Sequence, residues 1–166
     1  VCINSTATIS NDAKLVGTGG TSERDYSSGI TGDTISVSDS ATVTGTGGQA
    51  AKESRGISVG EALNMSEGSS AKVTGIGGKG DSSIGLYISS DSSSLLGGTL
   101  TVEGGSSYTT ESLGLYTWHY DFVLNGTIMT ATGYTSAVGG SDIFIKSEAI
   151  VADADREGLN AKTLPY

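Results

Sequence analysis

The stretch Ala41-Thr-Val-Thr-Gly-Thr-Gly-Gly48 is the clearest copy of a unit that recurs along this chain. It returns upstream at residues 13–20 as AKLVGTGG and downstream at residues 71–78 as AKVTGIGG. A looser copy covers residues 99–105, and an eroded copy covers residues 127–133. The glycines that close the copies are 28, 30, 27 and 28 residues apart: Gly20, Gly48, Gly78, Gly105 and Gly133.

A second marker keeps the same period. After each polar loop a glycine is followed by Ile or Leu, and successive glycines of this kind are 27, 29 and 29 residues apart. The pairs are Gly29-Ile30, Gly56-Ile57, Gly85-Leu86 and Gly114-Leu115. Because two independent markers share one period, the chain has a repeat architecture and not merely a glycine-rich composition.

Between the markers apolar and polar residues alternate, as Ile35 and Val37 do with Ser36 and Ser38. Such a period of two indicates half-buried strands. Each repeat offers about three short apolar pairs separated by turn residues, which suits a coil with three short sheets. We therefore predict an all-β fold, a right-handed parallel β-helix (β-solenoid) of about five turns with a ~28-residue repeat, since parallel crossovers are almost always right-handed.

This fold makes definite predictions about packing and extent. Equivalent residues should stack from turn to turn, giving an inward ladder of Ile30, Ile57, Leu86 and Leu115. We expect one solenoid domain over residues 1–166, with repeat turns at about 3–133 and an atypical closing segment at 134–166. The alternative, a β-sandwich, has no reason to keep this period through both markers.

Composition narrows the classes of function. The net charge of −9 and the pI of about 4.3 oppose binding to nucleic acid or to anionic membranes. No apolar run is long enough for a membrane span, so we expect no membrane insertion. An acidic surface rich in Ser and Thr favours an extracellular, secreted or cell-surface location. Cys2 is the only cysteine, so an internal disulfide cannot form.

Aromatic residues provide the main candidate site. If Leu86 and Leu115 point inward, the residues that follow them, Tyr87 and Tyr116, point outward in one column. Outward aromatics flanked by hydroxyls and carboxylates suit sugar rings, which stack on the apolar face and form hydrogen bonds at the edge. The alternative is an aromatic stack that stiffens the sheet or contacts a neighbouring chain. The predicted ligand-binding residues are Tyr87, Tyr116, Trp118, His119, Tyr120 and Asp121.

Catalysis and metal binding have less support. His119 has no nucleophile in a recognisable motif beside it, so we predict that the protein is not an enzyme. The segment 77–81 is similar to one glycine-aspartate calcium repeat, and the acidic residues at 153–157 offer oxygen ligands for Ca²⁺. The calcium repeat must occur in tandem but is found once here and is one residue short, and a solvated acidic tail accounts better for residues 153–157, so no resident cofactor is predicted. Sequons occur at Asn4, Asn64 and Asn125.

A short outward row of threonines raises the question of ice binding. Thr42, Thr44 and Thr46 would form this row. The equivalent positions one turn before and one turn after are Lys14, Val16, Thr18 and Lys72, Thr74, Ile76. On these three turns the sequence predicts no regular two-dimensional threonine array.

The Gly-Ile or Gly-Leu-Tyr turn starts, combined with Ala-x-Val-Thr-Gly-x-Gly-Gly turn ends, resemble the repeats of bacterial cell-surface β-helix proteins. Two groups are similar: carbohydrate-binding domains with a pectate-lyase-like β-helix, and adhesin or autotransporter passenger regions. The resemblance implies a non-catalytic extracellular adhesion or carbohydrate-binding module whose partner is a polysaccharide or glycan. The alternative is a structural subunit of a stalk or filament that associates end to end, which an uncovered apolar edge at residues 3–9 would favour.

Overall fold

The fold is described here from a computed structural model, which covers residues 1–89, 93–105, 110–117, 122–133, 136–140, 143–145 and 150–153. Within these ranges every regular element is a β-strand, as the sequence predicts. No helix in the described part of the chain is long and apolar enough to cross a bilayer.

The strands follow one another at short intervals. In chain order they are β1 (Cys2–Ile9), β2 (Lys14–Thr18), β3 (Tyr26–Val37), β4 (Thr42–Thr46), β5 (Glu53–Met65), β6 (Lys72–Ile76), β7 (Ser82–Ile88), β8 (Ser93–Leu95), β9 (Thr99–Glu103), β10 (Glu111–Thr117), β11 (Phe122–Leu124), β12 (Ile128–Thr132), β13 (Ser136–Gly140), β14 (Ile143–Ile145) and β15 (Ile150–Asp153).

Every strand pairing is parallel, and the pairings define three sides of a coil. The first side contains the first parts of β3 and β5, followed by β7, β10 and β13. The second side contains most of β1, the second parts of β3 and β5, and then β8, β11 and β14. The third side is a separate sheet of β2, β4, β6, β9, β12 and β15. The chain visits the three sides in rotation, so the fold is a β-solenoid.

The number of turns is slightly lower than predicted. The coil has about four turns where the sequence suggested five, and the complete turns run from β3 to β12. Before them, β1 and β2 supply no strand along the start of the first side, so that turn is incomplete. After them, β13, β14 and β15 each extend one side by a further strand, and parallel stacking continues to Asp153.

The core confirms the predicted inward ladder. Ile30 pairs with Ile57, Ile57 with Leu86, and Leu86 with Leu115, and all of them are fully buried. Similar rows come from the other two sides, and a fully buried side chain of this size contributes roughly 1.5–3 kcal/mol through removal of apolar surface from water. The stack of such rows is the main source of stability. Members from the second and third sides include Ile35, Val43, Leu63, Val73, Leu95, Leu100, Leu124 and Met129.

Two sets of glycines lie where the first and third sides approach each other: Gly17, Gly45 and Gly75 within the first-marker copies, and Gly29, Gly56 and Gly85 of the second marker. A Cβ atom on Gly45 of β4 would overlap the carbonyl of Gly56 on β5, and a Cβ on Gly56 would overlap the backbone of Ile76 on β6. The two backbones are therefore too close for any side chain. The same contact recurs between Gly17 and Gly29 and between Gly75 and Gly85, whereas the two later turns have Val102 and Ala131 at the Gly45 position.

Buried serines join the same two sides by hydrogen bonds. Ser83 Oγ donates to the carbonyl of Gly78 at 2.8 Å and accepts from the amide of Gly105 at 2.7 Å. Ser54 makes the same pair of bonds one turn earlier, at 2.8 and 3.1 Å. Their hydroxyls thus bond to backbone groups of two successive turns at the corner. The internal serine column is Ser27, Ser54, Ser83 and Ser112.

One residue per turn has a left-handed backbone at the corner between the second and third sides. Such a residue reverses the local chain direction, and glycine, asparagine and aspartate adopt this conformation at the least cost. The column contains Asn11, Asp39, Gly68, Gly98 and Gly126. The corner therefore repeats geometrically although its sequence varies.

Candidate functional site

The outer surface of the first side carries the predicted tyrosines together with charged residues. Pairing places Ser58, Tyr87 and Tyr116 in one column of this surface. A second column begins at Tyr26 and continues through Glu53 and Ser82 to Glu111. Arg55 stands between the two columns. We call this surface the Arg55 patch, defined by Tyr26, Glu53, Arg55, Tyr87, Glu111 and Tyr116.

The two predicted tyrosines form a stack. Their ring centroids are 5.5 Å apart and their planes differ by 10°. Tyr87 and Tyr116 pack with Ile84 and Leu113 in a cluster separate from the main core, on the opposite face of the strands from Leu86. The prediction of an outward tyrosine column is therefore confirmed. The column is nevertheless well packed, because Tyr87 is only 9% exposed.

Both faces of the Tyr87 ring are covered. The guanidinium carbon of Arg55 lies 3.6 Å from the centroid of this ring, a close cation–π contact. Strand β7 lies between β5 and β10, so Arg55 and Tyr116 approach the ring from opposite sides. A sugar has no face of Tyr87 on which to stack. The sugar-stacking role predicted for Tyr87 does not fit this arrangement, in which the ring has a packing role.

The accessible ring in the patch belongs to Tyr26. It is 58% exposed, and the Arg55 guanidinium lies 5.1 Å from its centroid. Tyr26 lies at the start of β3, and among the described strands only β5 pairs with that part of β3. The aromatic surface open to a partner is therefore two strands away from Tyr87, with β5 between them.

Arg55 is held by hydrogen bonds as well as by rings. Its Nε donates to Oε1 of Glu53 in an ion pair, and its Nη1 donates to Oγ of Ser58 at 3.1 Å. The side chains of Arg55 and Glu53 are only 17% and 19% exposed, which limits competition from water. The patch thus presents a fixed donor group and a fixed acceptor group beside an exposed ring.

Burial raises the pKa of three groups in this region. Burial raises the pKa of Tyr87 above its ordinary value, and the positive charge of Arg55 partly opposes that shift. Burial also raises the pKa of Tyr116, helped by the negative charges of Glu111 and Glu53. For Glu111, burial and then the charge of Glu53 raise the carboxyl pKa. Both phenols therefore keep their protons to higher pH than an exposed tyrosine does.

The other predicted residues lie outside the described ranges. They are Trp118, His119, Tyr120 and Asp121, which follow the last residue of β10, Thr117, in the sequence. Their expected contribution to the site stays a prediction.

Four residues of the patch were missed by the sequence analysis, although the repeat contains the signal for them. Tyr26 and Glu53 stand four positions before the inward residues Ile30 and Ile57, as Glu111 does before Leu115. Arg55 precedes the marker glycine Gly56, and Ile84 has the equivalent position before Gly85 one turn later. Reading each column of the repeat, and not only its apolar members, would have found them.

No metal centre is built by the described residues, since none of them form a group of three or more His, Cys, Asp or Glu side chains suited to an ion. A shallow polar groove of ≈ 340 Å³ lies at the corner after the second side. Its lining contains Asp39, Glu67 and the serines around them. Two carboxylates on a shallow surface do not make a site by themselves.

Comparison of the chain with protein-family models, with curated proteins and with solved structures gives no match. The argument for function therefore depends on the geometry of the chain itself.

Proposed function

We propose that this chain is a non-catalytic, extracellular adhesion module that binds glycan at the Arg55 patch. The observation that supports the proposal is the exposed ring of Tyr26 beside the fixed Arg55–Glu53 pair. Sugar recognition uses an aromatic ring as a platform for C–H groups and polar groups at its edge for the hydroxyls. On this proposal the protein is a bacterial cell-surface β-helix of the carbohydrate-binding or adhesin type.

Charge favours a neutral glycan over an acidic one. Glu53 balances the positive charge of Arg55 within the patch, and Glu111 adds a further carboxyl group nearby. The chain as a whole carries −9, which repels polyanions at long range. A neutral ligand avoids that repulsion and still uses the donor and acceptor groups of the pair.

The stacked rings of Tyr87 and Tyr116 hold the side chain of Arg55 in position. Arg55 contacts both Tyr26 and Tyr87, so the packed ring of Tyr87 fixes the guanidinium that in turn borders the Tyr26 ring. A side chain that is held in place before the ligand arrives loses less conformational entropy on binding. Tyr87 and Tyr116 thus act as positioning residues, and Tyr26 is the residue that contacts the glycan.

The proposal is tested with the full chain on a printed array of neutral and acidic oligosaccharides. We expect binding to neutral glycans that is lost in Tyr26→Ala and kept in Thr101→Ala, a substitution on the third side. Trp118→Ala tests whether the predicted second platform takes part. Binding that is unchanged in both Tyr26→Ala and Trp118→Ala would refute the site, and a preference for acidic glycans would refute the charge argument.

A second candidate function is that of a structural subunit in a stalk or filament. It is supported by the outer edges of β1 and β2, each of which pairs with only one other described strand. Half-buried Ile3, Ala7 and Leu15 pack at this end of the core. Open parallel edges can accept another strand, and a second solenoid supplies one at its opposite end.

Light scattering coupled to size exclusion, over a series of protein concentrations, separates the two functions. A structural subunit grows into long assemblies, and Val16→Lys on the exposed edge of β2 suppresses that growth by placing a charge there. A binding module stays monomeric at all concentrations and keeps its glycan affinity.

A further inference from the structure

The outer surface of the third side is built on five strands, β2, β4, β6, β9 and β12, that pair without a register shift. Val43, Val73 and Leu100 point into the core from this sheet, so the residues on either side of each of them point outward. Three columns of outward residues follow from the strand pairing in β2, β4, β6, β9 and β12. We call this surface the threonine face.

Nine of these fifteen outward positions are threonine. The central column is Val16, Thr44, Thr74, Thr101 and Thr130. The flanking columns are Lys14, Thr42, Lys72, Thr99 and Ile128 on one side, and Thr18, Thr46, Ile76, Glu103 and Thr132 on the other. From three turns the sequence predicted no regular array. The later turns add Thr101 and Thr130, so the central column contains four consecutive threonines. The charged residues lie only in the flanking columns.

The array is evenly spaced. None of the four pairings between β2 and β12 contains a register shift, whereas β1–β3 and β3–β5 on the other sides do. Neighbouring threonines of the central column are therefore about 4.8 Å apart, and successive outward residues of one strand are about 6.6 Å apart. The outward positions of the threonine face therefore form a two-dimensional lattice with those two repeats, and threonine occupies nine of its fifteen points.

The hydroxyls of the threonine face form no hydrogen bond with any residue that the structure describes. Among the described residues, the threonine hydroxyls that bond to protein atoms are those of Thr34 and Thr127, and neither belongs to this face. The buried serine column differs, since its hydroxyls bond to the backbone. Because threonine is branched at Cβ, its side chain has few rotamers, and each methyl and hydroxyl keeps a nearly fixed position.

We propose that the threonine face binds ice. Hydroxyls at fixed spacing anchor water molecules, and the methyl groups between them restrict the orientation of first-shell water. Water held in this way forms an ordered layer with the same two repeats as the threonine face. Ice is the partner that can continue such a layer. Each contact is weak, so only a repeated array that binds as a unit gives useful affinity.

Two other occupants fit the face less well. Crystalline polysaccharide is gripped by aromatic platforms, and none of the fifteen positions carries Phe, Tyr or Trp. A second copy of the chain would have to form a dry interface between facing sheets, and burial of Lys14, Lys72 and Glu103 opposes that. This site is independent of the Arg55 patch, which lies on the first side.

The test uses the full chain in thermal hysteresis and ice recrystallisation assays. Thr74→Tyr places a large ring in the middle of the face, between Thr44 and Thr101, and tyrosine is well tolerated in strands. The matched control is Ser36→Tyr, which puts the same ring on the outer surface of the second side, between the inward Ile35 and Val37. Thr101→Tyr repeats the test at the next turn if Thr74→Tyr does not fold.

We expect hysteresis and inhibition of recrystallisation in the wild-type chain, loss of both in Thr74→Tyr and Thr101→Tyr, and no change in Ser36→Tyr. The absence of both activities in the wild-type chain would overturn the proposal. Equal loss in Ser36→Tyr would overturn the assignment to this face. Binding to microcrystalline cellulose or chitin that Thr74→Tyr abolishes, without any ice activity, would replace ice with a polysaccharide surface.

Discussion

The Arg55 patch and the threonine face are built on the same coil, yet their outward side chains behave in opposite ways. In the Arg55 patch the side chains contact one another: Arg55 bonds to Glu53 and Ser58 and covers the ring of Tyr87. On the threonine face the nine hydroxyls bond to nothing among the described residues. The strands beneath both surfaces repeat once per turn, so the backbone alone does not explain the difference.

The difference comes from the size and variety of the side chains in each column. Long or aromatic side chains reach across the ~4.8 Å between strands and satisfy each other, as Arg55 and Tyr87 do. The hydroxyls of the threonine face form no hydrogen bond with the described residues, so they stay available to a partner. The same solenoid can thus carry a compact irregular site on one side and an extended regular surface on another.

The largest difference between the two surfaces should appear in stability. Tyr87→Ala removes a packed ring together with its contacts to Arg55 and Tyr116, and we expect a loss of about 3 kcal/mol in the free energy of unfolding. Thr101→Ala on the threonine face should cost less than about 1 kcal/mol, because only strand propensity changes. Urea unfolding followed by circular dichroism measures both. Equal costs would mean that the patch is not packed as described.

Removal of a single hydroxyl should cost more stability inside the solenoid than on its outer surface. Ser83→Ala leaves the carbonyl of Gly78 and the amide of Gly105 without their partner, so we expect a cost of about 2 kcal/mol. Thr74→Val removes an outward hydroxyl with similar shape and should change stability by no more than about 0.5 kcal/mol. The same unfolding assay applies. A costly Thr74→Val would show that this hydroxyl has a partner within the protein.

The Arg55–Glu53 pair should contribute less than the packed ring. Arg55→Met removes the cation over Tyr87 and leaves Glu53 without its ion-pair partner, and we expect a loss of about 1–2 kcal/mol because the pair is partly exposed. Adding Glu53→Gln should recover part of that loss, which a double-mutant cycle measures. Additive effects of the two substitutions would contradict a coupled pair.

The smallest effect should be a dependence on alkaline pH. The folded chain holds the phenol protons of Tyr87 and Tyr116 above their ordinary pKa of 10.0, so over that window it binds more protons than the unfolded chain. Stability should therefore fall as pH rises above about 10. Tyr87→Phe should reduce this slope, and Arg55→Met should raise the pKa of Tyr87 further because Arg55 lowers it. Phenolate absorbance measured against pH reports the titration of both tyrosines. Titration of Tyr87 and Tyr116 at the ordinary tyrosine pKa of 10.0 would contradict the prediction.

Much of the fold could be predicted from the sequence because the two glycine markers report backbone contacts. Gly29, Gly56 and Gly85 recur where two backbones approach too closely for a side chain, so their period is a direct record of the coil. The inward ladder followed from the same alignment, and Ile57 and Leu86 stack as predicted. The right-handed sense of the coil stays a prediction from the general preference of parallel crossovers.

The sites were predicted less well because a column depends on register over every turn. The threonine face was missed when only three turns were aligned, since Thr101 and Thr130 lie in later turns. The stack of Tyr87 and Tyr116 was predicted, but its availability to a ligand was not, because Arg55 reaches the ring from the neighbouring strand. Such contacts depend on rotamers, which periodicity does not reveal.

The central claim is that glycan is bound through Tyr26 on the first side of the coil and not through the third side. Its most direct test is calorimetric titration of a neutral oligosaccharide identified on the array against wild type, Tyr26→Ala and Thr74→Tyr. We predict that Tyr26→Ala weakens binding by about tenfold, the amount expected for one stacked ring, while Thr74→Tyr leaves it unchanged. Full affinity in Tyr26→Ala together with lost affinity in Thr74→Tyr would contradict the assignment of the two surfaces.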